Sequence, residues 1–340
     1  MRVLNIMLGE KQGGLEQAAL DYAEALTSKG HDVTMVVRKG SWAEQTARLN
    51  RLAVLPIVFP YIWNPLAARK IARAAREADI LILHGNRAGK LTMGLKTGVR
   101  IVPVVHSRFF RVRSHFSALI AASKAMEEKH RASGLPVHVV YNAVRLPPEE
   151  VRPPFRMVPV AGAFGRLSPE KGMDIFIDAI AHLRACGIPI NGVIGGGGPE
   201  EESLRRKVEY LGLQDCVRFV GWVKDKRAFF SGIDVFCLSS RTETFPITLL
   251  EAMGHGVPCV ATRCGGPSEI IEDGVTGVLA DIDAEDLAAR IQEMFEAPDK
   301  TAEMGLAGRA VIRESYDLPV LADRLDGILN EKAISDKSLS

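Results

Sequence analysis

No uninterrupted apolar run in this 340-residue chain approaches the ~18 residues needed to cross a bilayer as a helix. The closest stretch, Leu52 to Trp63, is broken by Pro56 and Pro60. The opening MRVLNIMLGE lacks the longer apolar core and small-residue cleavage site of a secretory leader, and reads instead as a first β-strand. A cytoplasmic chain is the expectation. Charge imbalance is missing as well: the formal net charge is +2 and the pI near 8.2. That is too mild to imply nucleic-acid binding, so any basic partner surface has to be local. Aromatic residues are only 6% of the chain, which argues against an aromatic-rich binding face. Cys186, Cys216, Cys237, Cys259 and Cys264 form no CxxC pair and have no histidine at metal-ligand spacing. Buried free thiols are expected, with neither a metal site nor a disulfide framework. No repeat recurs at solenoid periods.

What is present is the rhythm of an α/β protein. Hydrophobic residues make up 47% and charged residues 25%, ordinary for globular chains, and the length favours two domains. Strand-like runs Val3–Leu8, Val33–Val37, Ile80–Leu83 and Ile101–Val105 alternate with helix-length segments such as Leu15–Lys29, the pattern of a parallel sheet covered by helices. Prolines from Pro147-Pro148 through Pro153-Pro154 exclude a regular helix or central strand and mark a boundary. Beyond it the series resumes: strands at Val158–Gly165, Ile190–Ile194, Val217–Val220, Val235–Leu238, Val257–Ala261 and Gly277–Ala280, with helices at Gly172–Cys186 and Pro199–Leu211. The expected organisation is a Rossmann-like domain over 1–150, a second over 151–329 whose last helix crosses back to the first, and a polar tail over 330–340. Two doubly wound halves would present a cleft at the carboxyl ends of their strands.

Several segments carry chemistry. Glu243 precedes, and Glu251 lies inside, a helix whose start is marked by Pro246 and whose end is marked by Gly254 and Gly256. Free N–H groups at that start can receive a phosphate or sugar hydroxyl. On spacing alone, a surface acid and a buried helix acid would read the same way. Gly165-Arg166-Leu167-Ser168-Pro169-Glu170-Lys171-Gly172 follows a strand and opens a helix, placing Arg166 and Lys171 where an anion would meet both, although a solvated basic loop fits equally. Gly13-Gly14 fall between the first strand and first helix, a tight turn or a close approach to a ligand. The Gly195–Gly198 run lacks GxGxxG spacing and no ribose-binding acid follows it, which excludes a dinucleotide loop. His84 and His106 end two strands, as ligands to a bound molecule or as strand caps. Asp281-Ile282-Asp283 matches a metal motif by chance in a late loop.

The whole string from Glu243 to Ala261 resembles the Glu-x7-Glu signature of glycosyltransferase family 4 (GT4), including its Phe-Pro and Leu-Leu-Glu-Ala-Met runs. The resemblance covers nearly all of the second half and little of the first. It implies a GT-B fold and a retaining, metal-independent sugar transfer from a nucleotide-sugar, UDP before GDP or ADP, with no other cofactor. By the same resemblance Glu243 faces the transferred sugar, Glu251 the ribose, and Arg166 and Lys171 clamp the diphosphate. Gly13-Gly14 close over it, Gly197 and Val223 border the base pocket with Thr244, Phe245 and Pro246 on the donor side, and His106 lies near the sugar. A front-face reaction follows, with the leaving diphosphate accepting the acceptor's proton. Rival readings are a GT-B epimerase or hydrolase and a non-catalytic nucleotide-sugar sensor.

The acceptor is less legible. Between His106 and Phe116, Arg108, Arg111 and Arg113 alternate with Phe109, Phe110 and Phe116 in the half assigned to the acceptor. The pattern suits an anionic membrane surface or phosphorylated acceptor, unless the phenylalanines face the core. The expectation is a glycan or lipid-linked acceptor in cell-envelope polysaccharide or lipopolysaccharide synthesis, with peripheral contact at the inner face of the cytoplasmic membrane.

Overall fold

The computed structural model describes residues 1–58, 65–95, 98–107, 109–148 and 155–331. Pro153-Pro154, Arg108 and most of the polar tail lie outside them. The chain forms two compact units: Met1–Ala143 together with the segment from Asp317 onward, and Val144–Tyr316.

The first unit is built on seven parallel strands, β1 (Arg2–Met7), β2 (Asp32–Arg38), β3 (Ala53–Ile57), β4 (Ile80–His84), β5 (Arg100–Val105), β6 (Leu119–Ala121) and β7 (Val137–Val139), in the order β3-β2-β1-β4-β5-β6-β7. Between them run α1 (Gly14–Ser28), α2 (Trp42–Leu49), α3 (Pro65–Ala75), α4 (Gly85–Leu91) and α5 (Lys124–His130). Alternation along β1 sends Val3 and Met7 into the layer under α1, and Leu4 and Ile6 into the layer with Ile71 of α3 and Leu91 of α4. A sheet covered on both faces needs apolar residues at both phases, which is why β4 reads Ile-Leu-Ile-Leu. The chain order reverses between β1 and β4, where open α/β sheets place ligands.

The second unit repeats the plan with β8 (Val160–Phe164), β9 (Asn191–Gly195), β10 (Val217–Gly221), β11 (Val235–Leu238), β12 (Cys259–Thr262) and β13 (Val278–Ala280), all parallel, in the order β10-β9-β8-β11-β12-β13. Its helices are α6 (Met173–Ala185), α7 (Glu201–Tyr210), α8 (Lys226–Ser231), α9 (Ile247–Gly254), α10 (Pro267–Ile270), α11 (Ala284–Glu296) and α12 (Pro298–Val311). The β8/β11 neighbourhood is the matching reversal point. Beyond the last strand Asp283 caps α11 by accepting from Glu285 N and Asp286 N, which accounts for the chance acidic pair.

The final helix, α13 (Leu318–Asn330), belongs to the first unit. Leu321, Leu325 and Leu329 recur every fourth residue and are buried with α1 residues, each worth roughly 1.5–3 kcal/mol. His31 Nε2 lies 2.9 Å from Asp326 Oδ1 on the same seam. In the second unit, Arg309 Nη2 donates to Pro147 O at 2.7 Å, so the proline-rich stretch is bound to that unit as far as Pro148 is described.

Two expectations are corrected. Cys216, Cys237, Cys259 and Cys264 are buried, but Cys186 is exposed because it caps the surface end of α6. Phe110 and Phe116 are buried in the core of the first unit, with Phe116 against Gly89 of α4, so of the three phenylalanines only Phe109 faces outward, at 78% exposure.

Candidate donor and sugar site

In the second unit the loops that leave β8 and β9 are zipped together. Gly165 N donates to Gly195 O at 3.0 Å and Leu167 N to Gly197 O at 3.1 Å. This approach requires glycine at 196, where φ is +121° and a Cβ would lie 1.8 Å from Gly165 O. Gly172 does the same toward β11: its φ is +60° and a Cβ would meet Ser239 O at 2.0 Å. Arg241 fastens the turn, its guanidinium meeting both oxygens of Asp174 at 2.7 and 2.6 Å and Pro169 O at 2.9 Å.

These constraints bring Lys171 onto Glu243, Nζ to Oε1 at 2.6 Å, with the Glu243 side chain only 9% exposed. Ser240 Oγ donates to the same oxygen at 2.8 Å. The Glu243 backbone is held between loops: its N donates to Cys264 O at 3.2 Å and its O accepts from Gly266 N at 3.0 Å. Arg166, on the zipped loop, is exposed; its backbone carbonyl accepts from Ser168 N at 3.0 Å, while its guanidinium makes no hydrogen bond or ion pair among the described residues and acts on Glu170 only through its charge. One held carboxylate, one cation paired to it and one unengaged cation thus follow the ends of β8 and β11. Such a set can meet a polyanion without adding a buried charge of the wrong sign.

Glu251, on α9, pairs with Lys226 Nζ at the first position of α8. Burial raises the Glu251 carboxyl, and Lys226 opposes the rise. Asp225 caps α8 by accepting from Ala228 N at 2.9 Å, which sets the direction from which Lys226 arrives. Glu243 and Glu251 therefore have separate cationic partners. Val223 lies over Gly195, and Gly196 N donates to Gly221 O at 2.7 Å, so Val223 and Gly197 flank one end of the sheet. Thr244 is half-buried beside Gly266. Pro246 stands at the cap position just before α9, one residue outside the helix. Phe245 is buried with its ring 5.5 Å from that of Tyr316, so its side chain packs the interior.

In the first unit His84 and His106 end β4 and follow β5, and the structure joins them: His84 Nδ1 is 3.3 Å from His106 Nε2. His84 Nε2 is 2.9 Å from Asn5 Oδ1 on β1. Burial lowers His106 to about 4, and lowers His84 well below its ordinary value with His106 adding to the effect. Gly13 is extended at φ −167°, a conformation any residue adopts, and a Cβ there would meet only the Glu16 carboxylate. Gly14 opens α1. Burial raises Glu16.

Sequence reasoning missed Asn5, Ser240 and Lys226. Asn5 left a signal, a polar residue inside the apolar strand Val-Leu-Asn-Ile-Met, because a fully buried amide needs partners. Lys226 left none, since 25 positions separate it from Glu251.

Two family descriptions match the chain in succession: Glycosyltransferase Family 4 over residues 12–146 and Glycosyl transferases group 1 over residues 150–311. The chain belongs to the GT4-type glycosyltransferases. The lipopolysaccharide core biosynthesis glycosyltransferase LpsE of Rhizobium meliloti is 27% identical, over 98% of this chain and 100% of its own length. A GDP-mannose-dependent α-(1-6)-phosphatidylinositol monomannoside mannosyltransferase of Mycolicibacterium smegmatis is also 27% identical, over 94% and 95%. Among solved structures, Anabaena Alr3699/HepE in complex with UDP and glucose superposes with a TM-score of 0.85 at 22% identity, over 97% of this chain and 100% of that one. At that identity the likeness concerns the fold: this glycosyltransferase has the two Rossmann-like domains of the GT-B class.

Proposed function

We propose that this glycosyltransferase moves a sugar from a nucleoside-diphosphate sugar to a glycan or lipid-linked acceptor of the cell envelope, with retention and without a metal ion. The observation that carries the donor side is the Lys171–Glu243 pair beside unengaged Arg166, at the strand-order reversal of the second unit. Arg166 and Lys171 meet the diphosphate, and their charge stabilises the leaving group as the anomeric C–O bond to phosphate breaks. The acceptor oxygen bonds to the anomeric carbon on the same face, and its proton passes to the departing phosphate oxygen. Glu243, released from Lys171 as that lysine turns to phosphate, is free to accept from a sugar hydroxyl. Glu251 accepts from the ribose, and Lys226 opposes the rise that burial imposes on its carboxyl. The donor nucleotide is read as UDP first; HepE carries UDP in its complex, whereas the mycolicibacterial relative is GDP-mannose-dependent.

The lipid-linked acceptor is supported by LpsE, a lipopolysaccharide core enzyme by name, and by exposed Phe109 beside exposed Arg111. No helix among the described residues is long and apolar enough to cross a membrane. We read the contact as peripheral, through Phe109 and Arg111, both exposed. A panel of UDP-, GDP- and ADP-sugars with lipid-extracted acceptors, run with and without excess chelator, tests the reading. Retained anomeric configuration and undiminished turnover in chelator are expected; inversion, or loss restored by magnesium, would refute it. Sedimentation with anionic vesicles at low salt, lost when Phe109 and Arg111 are both changed to Ser, is expected for the membrane contact, and vesicles that never bind would dismiss it.

A further inference from the structure

We infer that Asn5 and His84 are positioning residues that hold His106 in its Nε2–H form, leaving Nδ1 of His106 as a bare hydrogen-bond acceptor for a hydroxyl of the sugar substrate. The inference rests on the proposed sugar transfer only for the identity of that hydroxyl's owner. Its core is a chain of donors and acceptors whose direction is fixed at one end.

That end is Asn5, fully buried in β1. One end of its amide lies 2.6 Å from Ala19 O on α1 and 3.2 Å from Met35 Sδ on β2. A backbone carbonyl only accepts and a thioether is at best a weak acceptor, so this end is the NH2. The other end, Oδ1, therefore faces His84 Nε2 at 2.9 Å and accepts from it, which puts the His84 proton on Nε2. His84 is itself buried, 2% exposed, with the Tyr22 ring edge-on at 5.2 Å. Among the described residues no carboxylate hydrogen-bonds or acts on it, and the Tyr22 hydroxyl, buried and without a hydrogen bond among them, belongs to the ring packed against it. An imidazole in such surroundings stays neutral, and burial drives it that way. A neutral His84 with its proton on Nε2 has a bare Nδ1, which must accept from His106 Nε2–H at 3.3 Å. His106, neutral for the same reason, then has a bare Nδ1, and no described residue engages that atom.

The fold explains why the relay begins where it does. Asn5 sits on β1, His84 on β4 and His106 just past β5, three adjacent strands at the reversal point of the first sheet. Ala19, the anchor, belongs to the helix that the Gly13-Gly14 turn opens. An apolar residue at position 5 would pack as well as its neighbours, so the polar choice is accounted for by orientation of the two rings beyond it. An acceptor facing a hydroxyl, instead of a donor, selects which rotamer of that hydroxyl is held.

The test reads the tautomer directly. Long-range proton–nitrogen NMR of the intact protein with 15N-labelled histidine, His106 identified by its loss in His106→Gln, should show pyrrole-type Nε2 and pyridine-type Nδ1 at neutral pH. His84→Gln places an amide near the Nε2 position, keeping the Asn5 contact but removing the acceptor for His106. It should mix the His106 tautomers and lower kcat/KM about tenfold, the rate equivalent of one neutral hydrogen bond, with free-nucleotide affinity unchanged. His84→Asn places its carbonyl near the Nδ1 position and should restore most of both losses. Wild-type His106 carrying its proton on Nδ1, or charged, overturns the inference, as does normal turnover in a folded His84→Gln protein with mixed tautomers. The spectrum is taken without donor or acceptor. Failure of the transfer reading would therefore appear as absent turnover with this spectrum intact, and failure of the relay as a changed spectrum with turnover intact.

Discussion

Changing Lys226 to Met should weaken the second unit in a manner that depends on Glu251. The Glu251 side chain is only 13% exposed, and burial raises its carboxyl while Lys226 counteracts the rise. Removing one partner of a fully buried pair costs about 3–5 kcal/mol, because a charge is left without compensation. The Lys226 head is 38% exposed, so water already screens part of the attraction, and roughly 1–2 kcal/mol is the expected loss. Without the lysine, the folded carboxyl lies still further above its unfolded value. The native state then binds more protons than the unfolded chain between those two values, so the deficit of the variant should grow as pH rises through that window and shrink below it. Urea unfolding of the wild type, Lys226→Met, Glu251→Gln and the double variant gives the coupling energy. We expect about 1 kcal/mol or more, with the double variant less damaged than the sum of the singles. Additivity within roughly 0.5 kcal/mol, together with a deficit that ignores pH, would refute the reasoning.

Lys171→Ala should lower turnover roughly a hundredfold, equivalent to about 3 kcal/mol of transition-state charge stabilisation; the loss of the cation paired with Glu243 should cost roughly 1–2 kcal/mol of stability as well, too little to unfold the protein, and initial rates with urea unfolding on the same preparation separate the two. Glu251→Ala should chiefly weaken free-nucleotide binding and Glu243→Ala chiefly impair transfer, so equal losses of nucleotide affinity in calorimetry would contradict the division of labour. Burial lowers His106 from 6.5 to about 4, so its neutral form contributes stability that is whole above pH 6.5 and drains away as pH falls toward 4. The change is worth about 3 kcal/mol and should appear as a melting temperature that falls with acid less steeply in His106→Asn than in the wild type.

The doubly wound plan was legible because the central parallel strands carry apolar runs and the covering helices amphipathic ones, and the strands that were expected lie within a residue or two of their places; β3, β6 and β7, toward the edges of the first sheet and three to five residues long, were not expected. β12 starts at Cys259, later than the expected Val257, since Pro258 has no N–H to give a ladder. The glycine turns were less legible: close approach was expected at Gly13-Gly14, where Gly13 is extended, whereas the structure requires glycine at Gly172 and Gly196, where backbones touch. What stayed hidden depends on contacts across long separations. The Lys226–Glu251 and Lys171–Glu243 pairs join residues 25 and 72 positions apart, and local pattern holds no record of either. Phe110 and Phe116 show a different limit. An alternation of arginine and phenylalanine looks the same whether the rings enter a membrane or the core, and only the position of α4 decides for the core.

The measurement that bears most directly on the central claim is calorimetric titration of the intact protein with UDP, GDP and ADP, for the wild type and for a variant with Arg166 and Lys171 both changed to Ala. Each lost charge-assisted hydrogen bond costs about 1.5–3 kcal/mol, so saturable binding of at least one nucleotide by the wild type should weaken by at least about tenfold in the variant. Binding of none of the three, or equal affinity in both proteins, would contradict the assignment of a nucleotide-sugar site to these residues.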